Sequence, residues 1–489
     1  MFAPSIDKLV IYSKNNILYI SQLITEAKVG ERTQNTILEV AGPRDCNKHH
    51  AMTTCAIIRN ENFDQVLLCY GPSDRIIRLQ ERMVGQGNKT SLKGRSKSRN
   101  QLRKESVDLR TLLIHCVQAM AEYCYLLASE LLLTIRQHSS ADGDCTQRLA
   151  LYLADGLKAR LARIGSRVYR NLMERRTSTA DSLEAYSLFL AAFPFVRASY
   201  YFANQAILDV SQGKERVHIV DFGIGFDFQW PLMIQSFAQQ EEGAPKLRIT
   251  GIDIPQLGFR PCEMVEETGK RLADYANRFK IPFQYQGIAA SRWETIKIED
   301  LNIDEDEVLI MNCMFRMKNP GLETDIVNGA RDKVLKTIRR MNPKIFISGT
   351  VNGLLSSPFF IQRFKEAMLH YSSIFDMLDA NVPRDNEARK MIERILFGQN
   401  VLTIIACEGT YRTERPECYR QWQARCLKAG FQKLPVDPAI LKNILHRKNL
   451  LFHEEFFAVE DRGWLLQGWK GRVLYAISKW KPNETHDDH

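Results

Sequence analysis

The stretch HIVDFGIGFDFQW, residues 218–230, decides how this chain folds. Its apolar half has the pattern of a short buried strand that ends at an aspartate, and two glycines follow closely. A strand, a glycine-rich turn and a helix form the first unit of a nucleotide-binding α/β fold, in which glycine lets the backbone approach a cofactor. The next strand pattern, LRITGID (247–253), also ends in an acid, which in such folds binds ribose hydroxyls. The candidate cofactor residues are Asp221, Gly223, Gly225 and Asp253.

Strand and helix patterns alternate from about residue 214 onward. The apolar runs lie at 217–222, 247–253, 281–288, 308–313, 344–350 and 401–409. Because they lack strict alternation, they indicate strands covered on both faces, hence a mostly parallel sheet with helices on each side. Three further runs within 456–480 are separated by only two or three residues, which predicts antiparallel hairpins. The sequence therefore predicts an α/β, Rossmann-like core of the class I methyltransferase type over about 214–482.

The region before this core has helical periodicity and predicts an N-terminal helical cap over about 107–210. Its most apolar part, 112–135, contains charged and polar side chains, so we expect a packed helix in a soluble protein rather than a membrane span. Further helices are predicted at 148–165 and 181–195, the second with Asp181 and Glu184 as a capping pair. One L-x-x-L-L pattern, which in other proteins docks a helix into a co-regulator groove, is equally a core-packing pattern. It consists of Leu109, Leu112 and Leu113.

Net charge and cysteine spacing restrict the kinds of partner, metal site and cellular compartment that we expect, but they do not identify a specific partner. The net charge of +10 permits an acidic partner such as DNA but does not require it. The eleven cysteines form no C-x-x-C pair, so we predict no metal site and a reducing compartment, cytosol or nucleus. Residues 1–105 show no coherent domain pattern and end in a basic linker, 93–104, that is either a nuclear-localisation or nucleic-acid patch or a solvated tether. The candidate cations are Lys93, Arg95, Lys97, Arg99, Arg103 and Lys104, with a second basic run of Arg160, Arg163, Arg167 and Arg170 on a predicted helix segment around 158–170.

Several residues argue against cofactor chemistry at the glycine turn. Asp227 stands where a third glycine would allow close helix–strand packing, and its carboxylate would repel that of S-adenosylmethionine. After the fourth strand, the run 312–315 lacks the proline-aromatic signature of amino-methylating enzymes. No histidine or carboxylate pair converges as a general base. The residues favour a retained fold without catalysis and without a bound cofactor; the alternative is an S-adenosylmethionine-dependent methyltransferase.

From about Val107 to Pro482 the chain resembles the plant GRAS family of transcriptional regulators, and in particular its scarecrow-like branch. Residues 217–231 are similar to the family's VHIID motif, and the regions 107–210 and 262–300 are similar to its two leucine-rich regions. LRITGIDIPQLGFRP, the helix after Pro358 and RILFGQNVLTIIACEG resemble pieces of its PFYRE region. The VHIID residues are Val217, His218, Ile219, Val220 and Asp221, and the residues matching its C-terminal SAW motif are Trp464, Trp469 and Trp480.

The resemblance implies a nuclear regulator of transcription over about 106–482, with a methyltransferase-like fold and no enzymatic activity. It implies contacts with other transcription factors, homodimers or heterodimers with GRAS proteins, and in some members direct contact with DNA; it implies no membrane association. The sequence departs from the family pattern at Asp227 and at Arg394-Ile395, where the family has an arginine–glutamate pair. The second departure predicts that any ion pair made there is lost.

Overall fold

The computed structural model describes residues 107–174, 179–225, 228–256, 260–318 and 329–484. The basic linker with its six candidate cations, and Asp227 in the glycine turn, therefore lie outside the described residues. Predictions about these positions stay predictions.

Helices form the N-terminal part of the described chain, as predicted. They are α1 (Leu109–Ala121), α2 (Tyr125–His138), α3 (Cys145–Leu161), α4 (Gly165–Glu174), α5 (Thr179–Ala192) and α6 (Pro194–Ser211). The prediction of one continuous helix over 112–135 is wrong, because the chain turns at Tyr123, whose φ of 63° is left-handed. A right-handed helix cannot pass through a residue in that conformation.

Three predicted helix ends also differ from those in the structure. The helix predicted to run to 165 ends at Leu161, since Arg163 has a left-handed φ of 55°. The helix predicted over 181–195 begins at Thr179, so Asp181 lies inside its first turn and is not its N-cap. That helix ends at Ala192, and Pro194 starts the next one, because proline lacks the N–H that a continuing helix needs.

The core alternates strands and helices. It contains β1 (Arg216–Phe222), α7 (Trp230–Ala238), β2 (Lys246–Asp253), α8 (Glu263–Arg278), β3 (Phe283–Ala289), β4 (Val308–Met314), α9 (Ala330–Arg340), β5 (Ile345–Val351), α10 (Phe360–Asn381), α11 (Glu387–Ile392), α12 (Gln399–Ala406), α13 (Tyr419–Lys428), β6 (Phe431–Leu434), α14 (Pro438–Leu451), β7 (Phe456–Asp461), β8 (Trp464–Trp469) and β9 (Arg472–Pro482). The sheet order is β3-β2-β1-β4-β5-β9-β8-β7, with β6 also paired to β9. The first five strands are parallel and β7, β8 and β9 are antiparallel. The predicted Rossmann-like α/β class with terminal hairpins is confirmed.

The prediction of a strand over 401–409 is wrong. It forms the helix α12, which packs on α3 and α4 and is continuous with a π-helical turn at Glu393–Gly398. Val401, Leu402, Ile404 and Ile405 are all buried, and a short run that is apolar on every side has no periodicity to separate helix from strand. The cap therefore contains helices from the C-terminal half of the chain as well, with α10 also packed on α3.

A buried ion-pair cluster holds these distant cap segments together. Glu393 accepts hydrogen bonds from Arg148 Nε at 3.0 Å and Arg389 Nη1 at 2.8 Å, and all three side chains are almost fully buried. Arg148 also contacts Asp379 at 2.8 Å. The neighbouring Glu393 thus makes buried ion pairs of its own, while the prediction that the family's pair is lost at Arg394-Ile395 stays a prediction.

The C-terminal tryptophans are structural in this fold. All three are buried, and each indole N–H donates to a nearby side chain. Trp464 donates to Gln423 at 3.0 Å, Trp469 to Asp376 at 2.7 Å, and Trp480 to Ser478 at 2.8 Å. Indole combines a large apolar surface with one donor, so each ring fills the core. Trp464 and Trp469 also fix the hairpin against α13 and α10, whereas Trp480 bonds within its own strand.

Candidate functional site

The candidate cofactor residues meet at the carboxyl edge of the parallel strands. Asp221 and Asp253 lie at the ends of the neighbouring strands β1 and β2, and Asn312 stands beside Asp221 in β4. Parallel strands end at the same edge, which is where ligands bind in open α/β sheets. The structure thus brings together the residues that the sequence singled out.

Asp221 is bound on both carboxylate oxygens by protein donors. Trp230 Nε1 donates to Oδ2 at 3.0 Å, and Asn312 Nδ2 donates to Oδ1 at 2.9 Å. Burial raises the pKa of Asp221, while these two hydrogen bonds oppose that shift by favouring the carboxylate. The aspartate of the VHIID motif therefore joins α7 to β4 through β1.

Asp253, the predicted ribose ligand, is fully buried and has three protein partners. Its Oδ2 accepts the backbone N–H of Gly225 at 2.7 Å, and its Oδ1 accepts that of Ile254 at 2.7 Å. Arg316 completes the set with an Nη2 to Oδ1 distance of 2.6 Å. The carboxylate thus holds the glycine turn against β2.

Arg316 is the functional residue that sequence reasoning missed. It follows Phe315, whose left-handed φ of 61° turns the chain after β4 and over the glycine turn. A Cβ added at Gly223 would lie 2.3 Å from Arg316 Cγ, so the arginine stem covers this glycine directly. Gly223 itself has a φ of 102°, which a residue with a side chain rarely adopts. The only sequence signal is a cation two residues after a strand end.

The arrangement does not fit S-adenosylmethionine. Binding of its ribose needs an acid that the cofactor can reach, and Asp253 is fully buried with Gly225, Ile254 and Arg316 bonded to it. The glycine surface that would face the cofactor faces the arginine stem instead. In the described part of the chain, histidine, cysteine, aspartate and glutamate side chains also form no group able to hold a metal ion.

The remaining VHIID residues are inside the sheet. Val217 and Ile219 point into one apolar core and Val220 into the other, as alternation along a strand requires. His218 is fully buried, with Nε2 2.8 Å from the Thr250 hydroxyl, and burial lowers its pKa to about 3. The motif therefore holds the central strand in place.

The L-x-x-L-L residues face the core of the cap. Leu109 and Leu113 are buried, and Leu112 packs against the same cluster from a half-buried position. In this conformation the three side chains do not form an exposed docking face. Among the helices of the described residues, none combines the length and the apolar composition of a membrane span.

The second basic run is divided between two helices. Arg160 pairs with Glu408 at 2.7 Å, and Arg170 donates to the Tyr411 hydroxyl at 2.9 Å. Arg163 and Arg167 are exposed and have no side-chain partner among the described residues. Two of the four predicted cations are thus free to contact a partner.

The comparisons with known proteins agree with this geometry. The model of the GRAS domain family matches residues 109–481. The chain belongs to the GRAS domain family. The crystal structure of SCL7 from Oryza sativa is similar to the fold described above. The two structures align with a TM-score of 0.65 and 28% sequence identity, and the alignment covers 77% of this chain and all of the SCL7 chain.

Arabidopsis thaliana has several similar GRAS relatives. Scarecrow-like protein 9 is 49% identical over 380 residues, covering 78% of this chain and 52% of the relative. Scarecrow-like protein 14 is 41% identical over 452 residues, covering 90% and 58% respectively. Scarecrow-like transcription factor PAT1 is 33% identical, covering 76% of each chain. The chain thus spans little more than half the length of the first two relatives.

Proposed function

We propose that this GRAS protein is a nuclear regulator of transcription with a non-catalytic Rossmann-like core. It acts through contacts with other transcription factors and through homodimers or heterodimers with GRAS proteins, and it contacts DNA directly. The observation that carries the proposal is the similarity to Scarecrow-like transcription factor PAT1 over three-quarters of both chains.

The geometry of the glycine turn supports a scaffold role for the core. Asp221 and Asp253 each hold neighbouring elements of the sheet edge, and Arg316 lies over Gly223. A methyltransferase would need this edge open to its cofactor. The alternative function therefore requires a rearrangement that breaks the Asp253–Arg316 ion pair.

A reporter assay tests regulation. The full chain is fused to a heterologous DNA-binding domain and expressed in plant protoplasts with a matching reporter gene; the DNA-binding domain alone is the control. We expect reporter output to rise or fall relative to that control. Unchanged output from a fusion that accumulates to normal levels would contradict regulation of transcription.

Two further measurements test location and DNA contact. A fluorescent fusion is expected in the nucleus, and replacement of the six cations of 93–104 by glutamine is expected to reduce that fraction. A gel shift with duplex DNA is expected to weaken as salt rises, since phosphate contacts release counterions. Cytoplasmic fluorescence of the unaltered chain, or no shift at low salt, would contradict these two parts separately.

Calorimetric titration with S-adenosylmethionine separates the enzyme alternative. We expect no binding heat from the unaltered chain or from Asp253→Ala. Micromolar binding that disappears in Asp253→Ala would instead support a methyltransferase.

A further inference from the structure

A surface cleft of about 490 Å³ opens in the helical cap and shares no lining residue with the glycine turn. The ends of α1, α3 and α12 and the starts of α2, α4 and α10 surround it. This volume is within the range of sites that bury a small ligand or a few side chains of a peptide. The side chains that define its character are Tyr123, Tyr125, Arg160, Arg163, Phe360 and Glu408.

One part of the cleft is aromatic and exposed. Tyr123 is 76% exposed and Tyr125 is 45% exposed, and their rings meet edge to face with centroids 6.1 Å apart. Phe360 forms another part of the lining, with the guanidinium carbon of Arg160 3.8 Å above its ring centroid. Aromatic rings that stand free at a concave surface favour a partner with apolar side chains.

Around Glu408, a carboxylate that lines the cleft, positive charge exceeds negative charge. Glu408 is bound by Arg160 at 2.7 Å and by Arg363 at 2.5 Å, so two guanidinium groups share one carboxylate. Burial first, and then the neighbouring Arg363 and Arg415, lower the pKa of Arg412 to about 10, so this arginine also stands among cations.

The surface beside the cleft adds free cations. Arg163 lines the cleft, Lys158 is two residues before the lining residue Arg160, and Arg167 follows the lining residue Ser166; all three cations are exposed. Within the part of the chain that the structure describes, none of these three side chains has a hydrogen-bond or ion-pair partner. Positive charge beside exposed aromatic rings is complementary to a segment that carries carboxylates beside bulky apolar side chains.

We propose that this cleft is a docking site for an acidic peptide segment of a partner protein, with an aromatic or leucine side chain seated against Tyr125 and a carboxylate paired with Arg163. The assignment deepens the proposed function, on which it rests, by locating one of its protein contacts. Duplex DNA fits less well, because its bases are stacked inside the double helix and offer no free face to the exposed rings of Tyr123 and Tyr125. A second copy of this chain placed across a two-fold axis would set Arg163 against an equally cationic patch.

A random peptide library displayed on phage and panned against the full chain tests the assignment. We expect enriched peptides to combine glutamate or aspartate with phenylalanine, tryptophan or leucine. Synthetic copies are then measured by fluorescence anisotropy against Arg163→Glu and Tyr125→Ala. Each change is expected to weaken binding about tenfold, the effect of losing one ion pair or one apolar anchor at an interface.

Matched controls come from α9 and α13. Arg340→Glu reverses another exposed, unpartnered arginine, and Leu427→Ala truncates another exposed apolar side chain; both are expected to leave peptide affinity unchanged. A peptide with one carboxylate replaced by lysine is expected to bind Arg163→Glu better than the unaltered chain. Such a reversal arises only if residue 163 and the peptide charge are in direct contact, because a general loss of folding would weaken binding of both peptides.

Three results would overturn the assignment. They are the absence of any enriched peptide, enrichment of neutral or basic peptides, and binding that is insensitive to Arg163→Glu and Tyr125→Ala. Self-association seen by sedimentation and lost in Arg163→Glu would assign the cleft to a second copy instead. If the chain alters reporter output but fails the peptide tests, only the cleft assignment is refuted. If the chain passes the peptide tests but leaves reporter output unchanged, only the proposed regulation of transcription is refuted.

Discussion

Replacement of Arg316 by methionine tests whether the Asp253–Arg316 ion pair holds the glycine turn. Methionine keeps an unbranched apolar stem over Gly223 and removes the cation from a fully buried carboxylate. Breaking a buried ion pair by removing one partner costs about 3–5 kcal/mol of unfolding free energy. Here the Arg316 side chain is 34% exposed, so solvent screens the pair, and Asp253 keeps the N–H donors of Gly225 and Ile254. We therefore expect a loss of about 2 kcal/mol.

Urea unfolding of the full chain, followed by tryptophan fluorescence and circular dichroism, measures this loss. Asp253→Asn combined with Arg316→Met removes both charges, so the double variant is expected to be more stable than the sum of the single losses by about 1–2 kcal/mol. Arg340→Met, which removes an exposed arginine without a partner, is the control and should stay within about 0.5 kcal/mol of the unaltered chain. An Arg316→Met variant as stable as that control, or strictly additive single variants, would refute the role given to this pair.

Other parts of the fold give three further predictions. Glu393→Gln leaves the buried Arg148 and Arg389 with a neutral acceptor and should lower the unfolding free energy by about 3 kcal/mol in urea; a change below about 1 kcal/mol would contradict the cluster's role in joining the cap. Trp469→Phe loses the indole hydrogen bond to Asp376 and part of the ring volume, so the same assay should show a loss of about 2 kcal/mol, and full stability would mean that the hairpin does not depend on this contact. Burial lowers the pKa of His370 to about 3, so below about pH 6.5 the unfolded chain takes up a proton that the folded chain does not, and stability falls as pH falls. His370→Leu should flatten that dependence between about pH 6 and pH 5 by one proton, about 1.4 kcal/mol per pH unit, when urea midpoints are compared; parallel pH profiles would contradict a neutral buried histidine.

The local sequence was sufficient to predict the sheet and the position of its carboxyl edge. Strands that are covered on both faces need continuous apolar side chains, so runs such as 217–222 and 308–313 show their environment directly. The turn that carries Gly223 was equally predictable, because its positive φ excludes most other residues. These features depend on neighbours within a few positions along the chain.

Sequence reasoning failed where a residue's state depends on distant partners. The run 401–409 is apolar on all sides, and only its packing against α3 and α4 decides that it is a helix. Glu393 lies in a π-helical turn, and its pairing with Arg148 joins positions far apart in the chain. No local pattern records such a contact, because the energy of burying an ion pair depends on which groups the fold brings together.

Local sequence patterns alone predict a Rossmann-like sheet with a helical cap and place Asp221 and Asp253 at the same edge of that sheet. What that edge can bind depends on contacts between distant segments, because Arg316 reaches Asp253 through a turn after β4 at the left-handed Phe315. The cap cleft likewise joins residues from separate segments, 120–125, 160–166, 360 and 406–408. Periodicity reports how each segment is buried, whereas a site is a set of distances between segments, and those distances exist only in the folded chain.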